Sequence, residues 1–272
     1  MRRSSFLSLC LGAPFIISRS SAQSRAERGK QLMDEVVAGL GGSRFQTMRD
    51  RVEQGRAYSF YRERLSGRSL AKIYTRYLMR PEPPKPDFFG LRERQAFGKN
   101  EDNAVIFTED NAWEVTFRGA KPMEEALQDR FRDSTRRNIF YILRQRLGEP
   151  GLIAEYQRAD VLDNQPVEIV EFADGDNRTV TVFFNRTTKL PVRQIYFRRD
   201  PLTRDRIEEV TIYSRYREVN GVQWPHTIER NRNGEKIYEI FAETVTINQN
   251  LSDNLFTIPS NLKLLKPDKP NK

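Results

Sequence analysis

"YREVNGVQWPHTIERN", residues 216–231, decides how the rest of the chain is read. Side chains alternate up to Asn220-Gly221, and alternation resumes at Val222 and Trp224, followed by Pro225 and His226, the one histidine of the chain. Asn-Gly favours the left-handed backbone of a two-residue turn whose twist matches paired strands, so the stretch predicts a β-hairpin. A second Asn-Gly, Asn233-Gly234, ends the returning strand and begins another. Residues 208–219, 222–230 and 236–247 thus read as three consecutive antiparallel strands.

The same pattern extends outward. Upstream, 152–162, 166–172, 179–184 and 190–198 alternate between turn signals at Asp163-Asn164 and Gly175-Asp176. Further upstream, "VEQGRAYSFYRERLSG" and "SLAKIYTRYLMRPE" are rich in Tyr, Phe, Ile and Thr, and 91–97, 104–108 and 113–117 continue the series. Two regions have helical period instead. Ala26 to Leu40 places Leu32, Val36, Val37 and Leu40 on one face and stops at Gly41-Gly42; residues 122–147 place Met123, Ala126, Leu127, Phe131, Ile139, Leu143 and Leu147 likewise, ending at Gly148 and Pro150. The expected fold is mainly β within the α+β class: about eleven mostly antiparallel strands in a meander. Such a sheet must close, or curve and be covered, because its apolar face cannot stay wet. The helices are the available cover, with Ile139, Phe140 and Leu143 facing inward and Arg136, Arg137, Arg144 and Arg146 in water.

At the N-terminus, Arg2-Arg3 precede an apolar stretch from Phe6 to Ile17, and Ser20-Ser21-Ala22 supplies small residues where a signal peptidase inspects. Residues 1–22 read as a cleaved export signal, since a stable spanning helix needs roughly 20 apolar residues. A single domain over 23–262 and a disordered tail over 263–272 follow. The 272 residues carry 46 Lys+Arg against 37 Asp+Glu, a formal charge of +9, and removing residues 1–22 takes away three arginines and the only cysteine. The mature chain then has no disulfide and no thiolate chemistry. Its charges are mixed in sign along the chain, as in Tyr61-Arg62-Glu63-Arg64, which argues against a nucleic-acid-binding stripe.

No catalytic motif appears. His226 has no local nucleophile or orienting carboxylate in its motif, and one histidine without cysteine disfavours a transition-metal site. Acidic pairs such as Glu124-Glu125 and Glu208-Glu209 sit in turns or beside basic residues, where solvation is the default. The sequence contains no Gly-rich phosphate loop, no Gly-x-Ser-x-Gly elbow and no His-Glu-x-x-His. The 17 Phe, 10 Tyr and 2 Trp fall mostly on strands, some of them apolar on both faces, as in Val180-Thr181-Val182-Phe183-Phe184. Such strands line either a packed core or a pocket for an apolar ligand.

The C-terminal half also resembles a known family. "KLPVRQIYF", "YSRYREVNGVQWPHTIE" and "VTINQNLSDNLFTIP" occur in the order found in the outer-membrane lipoprotein-sorting, LolA-like periplasmic carriers. The resemblance covers residues 26–262 in element order and is specific over about 188–260. It implies a curved antiparallel half-barrel with helices covering the concave face, and an apolar cavity that holds acyl chains of lipoproteins or lipids without a cofactor. It further implies a monomeric periplasmic carrier with transient membrane-protein donor and acceptor partners. Aromatic and aliphatic residues expected at cavity and lid are Phe60, Tyr74, Phe117, Phe140, Leu143, Phe183, Phe197, Trp224, Ile228 and Phe241. An envelope sensor on the same fold and a carboxylate-dependent enzyme are the alternative readings.

Overall fold

A computed structural model describes residues 20–266, and side chains from Ser24 onward. The export signal expected at 1–22 and the end of the tail therefore lie largely outside the described residues. After helices α1 (Ser20–Leu40) and α2 (Ser43–Gln46), the chain forms strands β1 (Asp50–Tyr61), β2 (Arg64–Tyr77), β3 (Leu91–Phe97), β4 (Asn103–Phe107), β5 (Ala112–Thr116) and β6 (Gly119–Pro122). Helices α3 (Glu125–Arg137) and α4 (Ile139–Tyr141, continued by a π-helical turn Ile142–Arg146) lead to the second series. This comprises β7 (Ile153–Leu162), β8 (Gln165–Ala173), β9 (Thr179–Asn185), β10 (Pro191–Arg199), β11 (Arg206–Val219), β12 (Val222–Arg232) and β13 (Glu235–Ile247). A 3₁₀ turn at Asp253–Phe256 follows.

All the strands join one open antiparallel sheet in the order β6-β5-β4-β3-β2-β1-β13-β12-β11-β10-β9-β8-β7. It is a curved half-barrel built from two sequential meanders, joined where β1 pairs with β13. The described residues form thirteen strands rather than about eleven. One strand without a sequence signal is β6, "GAKP", whose glycine and proline read as a turn. Proline is tolerated there because β6 lies at the edge of the strand order. The turn chemistry acts as expected: Asn220-Gly221 and Asn233-Gly234 have positive φ at both positions, 51° and 78°, then 50° and 83°.

The two halves of the sheet bury opposite faces. Under β8–β13 the concave face packs against α1 and α4: Leu32, Val36, Leu40, Ile139 and Leu143 meet Val170, Phe172, Val182 and Trp224. Under β2–β6 a second core forms on the other face, where Tyr74, Ala96, Ile106, Val115 and Ala120 pack against Phe256, Leu255, Ile258 and Leu262. Where the halves meet, β2 is apolar on both sides, with Tyr74 in this core and Ile73 on the opposite face. Asp50, buried, anchors the covering segment by accepting hydrogen bonds from the backbone N–H groups of Gln249, Asn250 and Leu251. The chain then continues past 262: the Ala120 N–H donates to the Lys263 carbonyl at 2.9 Å, and the Leu265 N–H to the Ala120 carbonyl at 2.8 Å. Residues 263–265, expected as the start of a disordered tail, thus extend the sheet edge.

Helix α1 lies directly on β7. It ends in two hydrogen bonds, from the Gly42 N–H to the Val37 carbonyl and from the Gly41 N–H to the Ala38 carbonyl, that satisfy its last turn. Arg28 and Lys189 both pair with buried Glu168, at 2.7 Å and 2.6 Å, and tie the helix to β8. A Cβ on Gly29 would fall 2.1 Å from the Ala154 carbonyl oxygen. In an exposed helix, alanine in place of glycine would gain about 1 kcal/mol. Here the strand backbone cannot give way, so Gly29→Ala is expected to destabilise by about 1–3 kcal/mol, the cost of overpacking. Urea unfolding with an unchanged m-value and a lower midpoint checks this.

The central helical region is broken at Asn138, whose backbone is extended and whose side chain caps α4 by accepting from the Phe140 and Tyr141 N–H groups. Ile139, Phe140 and Leu143 are buried. The four arginines expected in water are not free there. Arg146 is buried, with 4% side-chain exposure, and pairs with Glu149 at 2.6 Å and Asp174 at 2.9 Å. Arg137 pairs with Asp133. Arg144 stacks over Tyr77 and donates to the Met48 carbonyl. Arg136 donates to the Pro86 carbonyl. Arg144 and Arg146 lie on the turn that continues α4, wedged between sheet and loops, while Arg136 and Arg137 end α3, where the Pro86 carbonyl and Asp133 are within reach.

Candidate functional site

Between the concave face and the helices lies a cavity of about 400 Å³. Strands β1–β3 form one wall, β10–β13 the other, and α3 and α4 the roof. Strand register decides what faces it. Gln194, Thr211, Arg230 and Tyr238 are directly opposite one another across β10–β13. One step deeper, Tyr213, Ile228, Ile240 and Ala57 form the next row. Trp224 and Phe140, with ring centroids 4.6 Å apart, lie beyond them.

The cavity is not the apolar sleeve expected from the sequence, because charged residues enter it from both walls. Trp224 donates from Nε1 to Glu53 Oε1 at 2.5 Å, and the Arg51 guanidinium sits 4.0 Å over the indole. Arg51 also donates to Tyr77 Oη and Thr75 Oγ1, at 2.9 and 3.0 Å. Glu93 accepts from Gln95 Nε2 at 2.6 Å and from the Thr75 hydroxyl at 3.3 Å. Burial is the main cause that raises the Glu93 pKa, against the nearby charge of Arg51. Glu209 accepts from Arg198, Arg232 and Arg130, at 2.9, 3.1 and 3.5 Å. Tyr213 donates to Gln194 Oε1 at 2.8 Å, and burial raises its pKa well above the ordinary phenol value. Gln194 Oε1 also accepts from the Ile139 N–H, which fixes the start of α4 to the sheet.

Of the residues expected at cavity and lid, Phe140, Trp224 and Ile228 line the cavity. Leu143 is in the main core behind it. The structure places the others away from this cavity. Tyr74 belongs to the opposite-face core and donates to Glu101 at 2.7 Å. Phe241 packs edge-on against Tyr58. Phe197 lies under Arg206, and Phe60 under the Lys236 ammonium. Phe117 is 77% exposed in the β5–β6 turn. Phe183 is half-buried between Val182 and Phe184, which point into the core. Because both faces of the sheet carry apolar residues, composition alone left the inward set undetermined by one residue.

The residues that do define the site, Arg51, Glu53, Glu93, Glu209, Arg230 and Arg232, were not expected there. A signal did exist for Arg230 and Arg232: they share even parity with Trp224 and Ile228 on β12. His226 is buried, and its Nδ1 lies 3.1 Å from the Trp224 carbonyl oxygen, an internal strand contact. Among the described residues, no group of three or more His, Cys, Asp or Glu could hold a metal ion.

No family model matches the chain, and no curated protein matches it. Solved structures do. A domain assigned to outer-membrane lipoprotein sorting, from Vibrio parahaemolyticus, is 12% identical with a TM-score of 0.55 over 85% of this chain and 97% of its own. A DUF1329 family protein from Desulfovibrio piger is 14% identical, with a TM-score of 0.56 over 84% and 97%. A LolA superfamily protein from Nitrosomonas europaea is 10% identical, with a TM-score of 0.50 over the same shares. At such identities the likeness establishes the fold: this chain has the LolA-like architecture. Among the described residues no helix is long and apolar enough to cross a membrane.

Proposed function

We propose that the chain is a cell-envelope carrier that holds the acyl part of a lipid or lipoprotein in the concave cavity and passes it toward the outer membrane. The observation that carries this reading is the cavity itself. Its volume, about 400 Å³, falls within the range of small-ligand sites. Ile73, Phe97, Ile228 and Ile240 give it a continuous apolar wall that the helices leave uncovered. Each methylene buried there contributes about 0.8 kcal/mol, so an acyl chain needs no polar partner to bind. The fold shared with a lipoprotein-sorting domain supports the same direction. The export signal read at residues 1–22 supports a periplasmic carrier, and on this reading it works as a monomer between a membrane-protein donor and acceptor. Carriage requires no bond to be made or broken, so neither cofactor nor catalyst is needed.

Native mass spectrometry of protein isolated with its host membranes is expected to show a lipid-sized adduct. Titration with a fluorescent neutral lipid probe should saturate at one site. Ile228→Asn sets an unpaired amide into the apolar wall, which costs about 1–3 kcal/mol and should weaken uptake roughly tenfold. Absence of an adduct together with no probe uptake by the parent protein sinks the reading.

A further inference from the structure

We propose that the outer row of the cavity binds the anionic head of an amphiphile, with Arg230 as its countercharge. This rests on the carrier reading above and names the chemical class of its ligand: a carboxylate or phosphate group attached to an apolar tail.

The inference starts from the pairing of the other cavity charges. Arg51 is held by Glu53, Tyr77 and Thr75, while Arg130 and Arg232 both reach Glu209. The cavity carboxylates are engaged as well, Glu53 by Trp224 and Glu93 by Gln95. Arg230 differs. Among the described residues its side chain has no ion pair and no hydrogen bond; it lies 6.0 Å from the Tyr238 ring and feels Glu93 only through space, with no direct contact. Its direct neighbours across the sheet are Thr211 and Tyr238. The hydroxyls of these two residues, and of Tyr196 on the same wall, also lack a hydrogen-bond partner among the described residues. Burial pushes the Tyr238 phenol up to about 12 and raises that of Tyr196, so both remain protonated donors at neutral pH.

A guanidinium and three hydroxyls with no internal acceptor make a site for a group that only accepts. Carboxylates and phosphates are such groups, and their charge-assisted bonds to arginine are the strong ones. The row beneath supplies the rest of the chemistry. Ile228 and Ile240 lie one register step deeper than Arg230 and Tyr238, with Trp224 and Phe140 beyond. A head at Arg230 therefore directs its tail into the apolar wall.

The test compares dodecanoate with dodecanol, which share a tail and differ in the head, by calorimetric titration below their aggregation limits. The parent protein is expected to bind dodecanoate at least tenfold tighter than dodecanol. Arg230→Gln should remove that difference by weakening dodecanoate about 10- to 100-fold, the range for losing a charged hydrogen-bond partner, with dodecanol changed less than twofold. Arg230→Lys should restore part of it. Arg230 is exposed, so matched melting curves show that the variants fold. Equal binding of acid and alcohol by parent and Arg230→Gln overturns the headgroup site and leaves the carrier reading standing. Binding of neither overturns both. Inorganic phosphate alone is expected to bind far more weakly than dodecanoate. Should it bind as tightly, and lose that binding in Arg230→Gln, the site serves a free anion and the amphiphile assignment is wrong.

Discussion

Replacing Phe140 and Leu143 together by aspartate is expected to unfold the protein, not to open a lid. Both side chains are almost fully buried in the main core, Phe140 against Trp224 and edge-on to Tyr213, at centroid distances of 4.6 and 5.1 Å. Removing a buried phenylalanine or leucine costs about 2–5 kcal/mol before any charge is introduced. Two unpaired carboxylates in the same place add several more, and the sum meets or exceeds the about 5–15 kcal/mol by which domains are stable. The far-UV circular dichroism of the double variant should lose its β signal at 25 °C. A folded variant that has lost only ligand uptake would show that α4 detaches from the sheet as a lid, contrary to its packing.

The second large effect is expected at Arg146. Among the described residues it is the one cation that pairs directly with both Glu149 and Asp174 at the end of α4, and all three side chains are nearly inaccessible. Arg146→Met keeps much of the volume and removes the charge, leaving two buried carboxylates without it. Breaking a buried pair from one side costs about 3–5 kcal/mol. Arg178, which also reaches Asp174 at 3.3 Å, keeps the loss toward the lower figure. The pH dependence carries the sign. Burial acts to raise the Asp174 pKa, but the hydrogen bonds from Arg146 and from the Arg178 amide, with both charges, outweigh it and hold the carboxyl below its usual value. In the parent this stabilisation is complete above the unfolded value of about 3.9 and is lost as pH falls through the lower folded value. In Arg146→Met burial faces less opposition at Asp174, which then favours its protonated form more than in the parent. The stability gap between parent and variant should therefore be widest near neutral pH and narrow on acidification. Denaturant midpoints from pH 7 down to pH 4 check it; a constant gap would mean that lost packing, not charge, sets the cost.

The meander was legible because hairpins announce themselves locally. Asn220-Gly221, Asn233-Gly234 and Asp163-Asn164 are residues that accept positive φ readily, and all three sit at strand junctions with it. The β1–β2 turn shows the limit. It is made by Arg62 and Glu63, both in left-handed conformation at 48° and 59°, and neither residue signals a turn. Charge was the larger obstacle at the site. Arg51 and Glu53 gave no local signal because Tyr77 and Trp224, which hold them, are distant in sequence, and Arg146, expected in water, joins its neighbour Glu149 to the distant Asp174. A preference for aromatic candidates also favoured Phe183, Phe197 and Phe241, each next to the residue that points inward. Periodicity gives two sets of alternate residues, and where both faces are covered only tertiary structure chooses between them.

The pairing of β1 with β13 also governs the order of assembly. Residues 51 and 247 are neighbours in the middle of the sheet, so the longest loop in the molecule must close before its two meanders become one body. A chain emerging from synthesis can pair β1 through β6 one after another, since each meets its neighbour at once. It cannot bind that half to the other until β13 has appeared, and β13 also brings Ala242, Val245 and Ile247 to the main core. Contacts so distant in sequence slow folding, because the entropy of loop closure is lost before they form. Until that last long strand is made, the main core stays unfinished, whatever the first meander has already paired.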